Sequence, residues 1–318
     1  MNGADNSAAP PGSEATRLMA KIRTGVGRMH PVLFAIFALA VVFFLYQILG
    51  GGIVLLVSGM KITGESVGLV RWTTLGGQLL FILLPTILLA RLRGRNLREF
   101  FRIRAPGYRE VLAAIVGVFA LQQMLVGYMA LQDLIPLPHQ LQEILDAVKK
   151  QFEEAYRLLI AAANPAEFLA VLIVVALVPA VTEELLFRGL VQSSMEEAAG
   201  GPTGALVTGV IFGAYHLIPT SFVPLAALGI YLGFLVYRTR SISVAMSAHF
   251  FNNFVACLAV YARVDEDFLA VAPSGGGGVV TMVANFLLFA VVFLASAAYL
   301  IMITQRPRVT SEQTEQSP

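Results

Sequence analysis

The chain has 318 residues, 57% of them hydrophobic and only 13% charged, with mean hydropathy +0.75 and formal net charge +2. Soluble domains carry nearer a quarter charged residues, so a soluble fold is excluded and a polytopic membrane protein is expected. The single cysteine, Cys257, excludes disulfides and cysteine metal clusters, and within its apolar run it reads as a small buried hydrophobe.

In chain order, residues 1–30 are polar and read as a disordered tail. The first long apolar run begins only after Pro31 and is too long for the core of a cleavable signal peptide. About 20 apolar residues span a bilayer. Eight segments meet or approach that length: 32–58, 73–92, 111–132, 166–190, 204–218, 222–237, 242–262 and 279–303. Between the third and fourth, Leu141, Ile144, Leu145, Val148, Phe152, Tyr156 and Leu159 recur at helical spacing opposite a charged face, which predicts an amphipathic helix on the membrane or capping the bundle. The expected fold is therefore an all-α polytopic membrane protein, a bundle of about eight transmembrane helices plus one amphipathic helix. Its parts are a tail over 1–30, transmembrane helices over 31–135, the interfacial helix over 136–163, a transmembrane core over 164–304 and a tail over 305–318.

Basic residues set orientation. Arg17, Lys21, Arg23 and Arg28 precede the first span, seven arginines from Arg91 to Arg109 follow the second, Arg238 and Arg240 follow the sixth, and Arg306 and Arg308 follow the eighth. Opposite them lie Asp265, Glu266 and Asp267, with Lys61 and Arg71 in the first outer loop. Both termini are thus expected in the cytoplasm, with the chain in a bacterial plasma membrane. The arginine cluster could also bind acidic lipid or nucleic acid, but topology is the simpler reading and no nucleic-acid partner is expected. The glycine run Ser274–Gly278 has no lysine in phosphate-loop register and reads as a loop, while Gly229 and Gly233 form a small-xxx-small packing face.

Inside the fourth apolar run stand Glu183, Glu184 and Arg188. Ionisable groups at membrane depth cost roughly 2.5–3.5 kcal/mol each on insertion scales, so they mark either function or a structural ion pair. Glu184 and Arg188, four apart, can pair on one face, which leaves Glu183 about 100° away as the candidate reactive group. His30 and His139 read as surface residues, whereas His216 and His249 lie in apolar runs. If Gly200-Gly201-Pro202 turns one helix into the next, Glu183 and His216 both sit about 22–26 Å from that turn, at one level. His249 and Asn253 share a face of the seventh segment, and Asn252 lies about 100° round. A carboxylate and an imidazole sharing a water can deprotonate it, and an imidazole N–H beside an amide can stabilise an oxyanion. Together these supply hydrolytic acyl transfer. No Gly-x-Ser-x-Gly elbow and no His-Glu-x-x-His zinc helix is present.

Glu183-Glu184-x-x-x-Arg188, Phe212-x-x-x-His216 and His249-x-x-x-Asn253, with Pro179 before and Gly189 after the first, resemble the three motifs of the CPBP family. That group includes type II CAAX prenyl endopeptidases and bacteriocin-processing or self-immunity membrane proteins. The resemblance covers roughly residues 165–262. It implies an intramembrane endopeptidase acting on a membrane-associated peptide or protein. Glu183 and His216 would activate water, His249 and Asn253 would form the oxyanion site, and Glu184 and Arg188 would orient them. No cofactor is firmly implied. A divalent metal such as zinc is the alternative, with Glu183, His216 and His249 as its ligands. A non-catalytic interaction or self-immunity protein of the same fold, and a proton-coupled transporter, are the competing readings. Oligomeric state is not legible.

Overall fold

The computed structural model describes residues 24–59, 62–94, 96–263 and 277–304. The basic residues Arg17, Lys21, Arg23, Lys61, Arg95, Arg306 and Arg308, the acidic trio 265–267, most of the glycine run and most of both expected tails lie outside them.

The described residues are helical and contain no β-strand. In order they form α1 (Pro31–Ser58), α2 (Val67–Leu92), α3 (Tyr108–Gln132), α4 (His139–Ile160), α5 (Pro165–Ala199), α6 (Gly201–Tyr215), α7 (Phe222–Thr239), α8 (Ile242–Tyr261) and α9 (Gly277–Ile303). Among the described residues seven helices are long and apolar enough to cross a membrane, and all but α4 and α6 are of this kind. The expected fifth span, 204–218, is the exception. It is the 15-residue α6, which stops at Tyr215 because Leu217 turns left-handed (φ 57°) and Pro219 follows. The chain then folds back through the tight turn Pro219–Ser221 into α7, so α6 and α7 make a hairpin.

Glycines set how closely that hairpin closes. A Cβ on Gly209 would lie 2.3 Å from the Ile230 nitrogen, and one on Gly229 would lie 2.6 Å from the Gly209 carbonyl oxygen. The small-residue face at Gly229 and Gly233 thus packs backbone to backbone, as its spacing predicts. It also leaves two carbonyls one turn apart for α5, whose Arg188 donates to Gly229 O at 2.9 Å and Gln192 to Gly233 O at 3.0 Å.

Contacts sort the helix ends into two groups. At one end, Arg93 donates to Met29 O, Ser241 to Arg104 O and Arg238 to Ile301 O, and Arg102 pairs with Glu196. The described connections that carry the expected positive charge therefore meet at this end. At the other end, buried Arg71 donates to the Leu158, Leu159 and Ala161 carbonyls and to Glu167 at 2.7 Å, clamping the C-terminus of α4 to α2 and α5. Lys149 of α4 meets Asp133 at 2.8 Å. The amphipathic helix expected between the third and fourth spans is present as α4, with Leu141, Ile144 and Phe152 exposed on its apolar side.

Four stretches of these helices are wound in wider π turns: Phe44–Gly50, Gln78–Leu83, Leu172–Leu177 and Leu185–Gln192. Such turns occur mostly as local insertions and often at functional sites. The last two flank Val178–Glu184, the ordinary α-helical segment that carries both glutamates.

Candidate functional site

Glu184 is wholly buried, and its Oε1 accepts from Arg188 Nη1 at 2.9 Å and from His249 Nδ1 at 2.8 Å. The expected i,i+4 pair is present, and the carboxylate additionally bridges α5 to α8. His249 itself is only 4% exposed. Arg188, also fully buried, places its guanidinium carbon 4.6 Å over the Phe212 ring. That ring packs edge-on against His216 at 4.7 Å and against His249 at 6.0 Å between centroids. Phe212 is therefore the plate on which the arginine and both histidines are gathered, which accounts physically for the phenylalanine four residues before His216.

The two histidines are oriented differently. His216 Nδ1 lies 2.7 Å from the Phe212 carbonyl oxygen. A carbonyl can only accept, so Nδ1 carries the proton and Nε2 keeps its lone pair. His249 turns Nδ1 to the Glu184 carboxylate, which can only accept, so Nδ1 carries a proton. Its Nε2 is the remaining nitrogen.

Glu183 is half-buried, and among the described residues it has no hydrogen-bond or ion-pair partner. It lies within electrostatic range of Tyr46, Tyr215 and Arg188. No described hydrogen bond joins it to His216. Adjacent polar groups escaped the sequence reading. Gln47 donates to the Tyr215 carbonyl at 3.1 Å, tying α1 to the residue before His216. The Tyr215 hydroxyl is buried without a partner among the described residues, and the Tyr215 ring is fixed between Phe43 and Phe187. The available signal was Tyr46-Gln47 and Gln78, polar groups interrupting apolar runs.

No described hydrogen bond joins Asn253 to His249. Its Nδ2 donates to the Val175 carbonyl at 3.2 Å, and its Oδ1 accepts from Asn252 at 3.2 Å. Pro179 lies four residues beyond Val175 and has no N–H to offer its carbonyl. One amide hydrogen of Asn253 serves that carbonyl. Gly189 has an equally local reason, since a Cβ there would come within 2.4 Å of the Phe101 ring.

Among the described residues no group of three or more His, Cys, Asp or Glu side chains is placed to hold a metal ion. Glu183, His216 and His249, the ligand set considered from sequence, do not form one. The residues present do not fit a resident metal.

Residues 165–255 match the family model described as type II CAAX prenyl endopeptidase, Rce1-like. This segment is similar to that family. The match bears out the CPBP resemblance and takes in α5, α6, α7 and α8 as far as residue 255, with all six motif residues inside it. No curated protein and no solved structure matches the chain significantly. The seven long apolar helices among the described residues support a protein integral to a lipid bilayer.

Proposed function

We propose that the protein is an intramembrane endopeptidase that hydrolyses a peptide bond of a membrane-associated substrate, with processing of the CAAX type as the specific activity. The observation that carries this reading is the contrast between two adjacent glutamates. Glu184 is saturated on one oxygen by Arg188 and His249, whereas Glu183 stands half-buried and unpartnered among the described residues.

In the proposed reaction a water held between Glu183 and His216 attacks the peptide carbonyl carbon, and its proton passes to Glu183 or to His216 Nε2. The carbonyl oxygen becomes an oxyanion, met by His249 through Nε2 and by the amide hydrogen of Asn253 that is not spent on Val175. Collapse of the tetrahedral intermediate breaks the C–N bond, and the stored proton goes to the leaving amine. Glu184 keeps His249 oriented, and Arg188 balances Glu184. No step is routed through a metal. An apolar groove of about 830 Å³ between α1 and α2, with Phe152 of α4 on its wall, ends at Tyr46 and Gln47 and offers a route from the bilayer toward His216. The arginine-rich end of the bundle is taken as cytoplasmic, in a bacterial plasma membrane.

The test is cleavage of a peptide library, including prenylated and unprenylated CAAX peptides, by purified protein in detergent. Glu183→Gln is expected to lower turnover by about 10²–10⁴-fold, and chelation is expected to leave wild-type turnover unchanged. Equal turnover by wild type and Glu183→Gln rejects the reading.

A further inference from the structure

The proposed hydrolysis makes no use of the arginines after the second span. Two adjoining cavities at that end of the bundle share Glu99, Arg102 and Arg240 as walls. The more arginine-rich one, about 540 Å³, brings together the guanidinium-bearing residues Arg98, Arg102, Arg104 and Arg240 with one carboxylate, Glu99, in its lining. Carboxylates behind the wall neutralise part of this charge. Glu196 pairs with Arg102 and, at 3.4 Å, with Arg240, and Glu110 pairs with Arg104 at 2.8 Å. Arg98 is exposed, and its side chain has no partner among the described residues. A positive surplus therefore faces outward.

Arg102 and Arg240 both adopt left-handed backbone (φ 53° and 55°) just past a helix end, which turns the chain out of each helix and brings the two connections together at the basin. The position of the basin points to a ligand. It lies where α2, α5 and α7 end and α3, α6 and α8 begin, which is headgroup depth for a bilayer around these spans. Ile103, 47% exposed, stands among the arginines and gives the basin an apolar edge. Guanidinium forks match phosphate oxygens, and basic pockets between membrane helices suit anionic headgroups.

We propose that this basin binds the phosphate of an anionic phospholipid headgroup, with Arg98 as its principal free donor and Arg240 and Arg104 flanking it. The bound lipid would bridge the α2–α3 connection to the α7–α8 connection, which already touch through Ser241 Oγ and the Arg104 carbonyl at 2.9 Å. The site is independent of the peptidase reading.

Thermal unfolding of the purified full chain in mild detergent tests it, titrating phosphatidylglycerol, phosphatidylcholine or inorganic phosphate. Phosphatidylglycerol is expected to raise the melting temperature where the other two do not. Arg98→Gln is expected to weaken that response by about tenfold in lipid concentration. Arg98→Gln/Arg240→Gln should weaken it further, and Arg109→Gln, whose side chain bonds Tyr108 outside the basin, should not. Should the double variant fail to fold, Arg98→Gln alone decides, because it leaves the Glu196 pairs intact. An unchanged phosphatidylglycerol response in Arg98→Gln, an equal response to phosphatidylcholine, or an equal response to inorganic phosphate overturns the proposal.

Discussion

Glu183 and Glu184 are neighbours in sequence but differ in surroundings, because a helix turns about 100° per residue. Glu184 faces inward and holds two donors, Arg188 and His249, in a buried network. Removing one partner of a buried ion pair leaves an uncompensated charge, at a cost of about 3–5 kcal/mol. Arg188→Met is therefore expected to lower stability by that order in detergent unfolding, while Glu183→Gln should stay within about 0.5 kcal/mol of wild type. Asn253 has a structural duty beside its proposed catalytic one. Asn253→Ala leaves the Val175 carbonyl without its donor, an expected loss of about 1–3 kcal/mol. Pro179→Ala restores a backbone N–H at that carbonyl, so in its background Asn253→Ala should cost less stability. Turnover should stay low in the double variant if the Asn253 amide also meets the oxyanion, and unfolding curves with kcat measurements separate the two duties.

At the scale of elements, the α6–α7 hairpin decides where His216 stands. Its closeness depends on glycine, because at Gly209 the obstructing atom is the Ile230 backbone nitrogen, which cannot turn aside. Gly209→Ala is expected to destabilise by about 1–3 kcal/mol, as overpacking does. It should also lower turnover, because α7 carries the Gly229 carbonyl that Arg188 uses. Gly68→Ala in α2, where a Cβ meets nothing within 4 Å, is the control and should be neutral or stabilising by up to about 1 kcal/mol. The hairpin also shows how far hydropathy reads. It located both apolar segments, but it does not distinguish a full span from a 15-residue helix that ends at a left-handed Leu217. The π turns in α1, α2 and α5 were likewise illegible, since they alter winding without altering composition.

Across the whole molecule, polar ties cluster at the two ends of the bundle and the proposed chemistry lies between them. The Arg71 clamp holds the C-terminal turn of α4 by three carbonyls and a carboxylate on α5. Arg71→Gln is expected to release α4 while the spans stay packed. Limited proteolysis should then cut faster between residues 139 and 163, and an unchanged cleavage pattern would contradict that role. Because Phe152 of α4 lines the groove between α1 and α2, the same variant tests whether α4 governs entry. A changed KM with unchanged kcat would mark it as a gate.

Sequence alone established a helical membrane protein and singled out Glu183, Glu184, Arg188, His216, His249 and Asn253. Hydropathy and charge inside apolar runs are properties of the chain itself, and three spaced motifs carried the family that residues 165–255 then matched. It could also pair Glu184 with Arg188, because both lie on one helix. Only the tertiary structure made Glu184 the bridge to His249, turned Asn253 to the Val175 carbonyl, and set Phe212 against His249. Each of those contacts joins different helices, and which carbonyl or ring faces which side chain depends on crossing angle, depth and local winding that no single segment encodes.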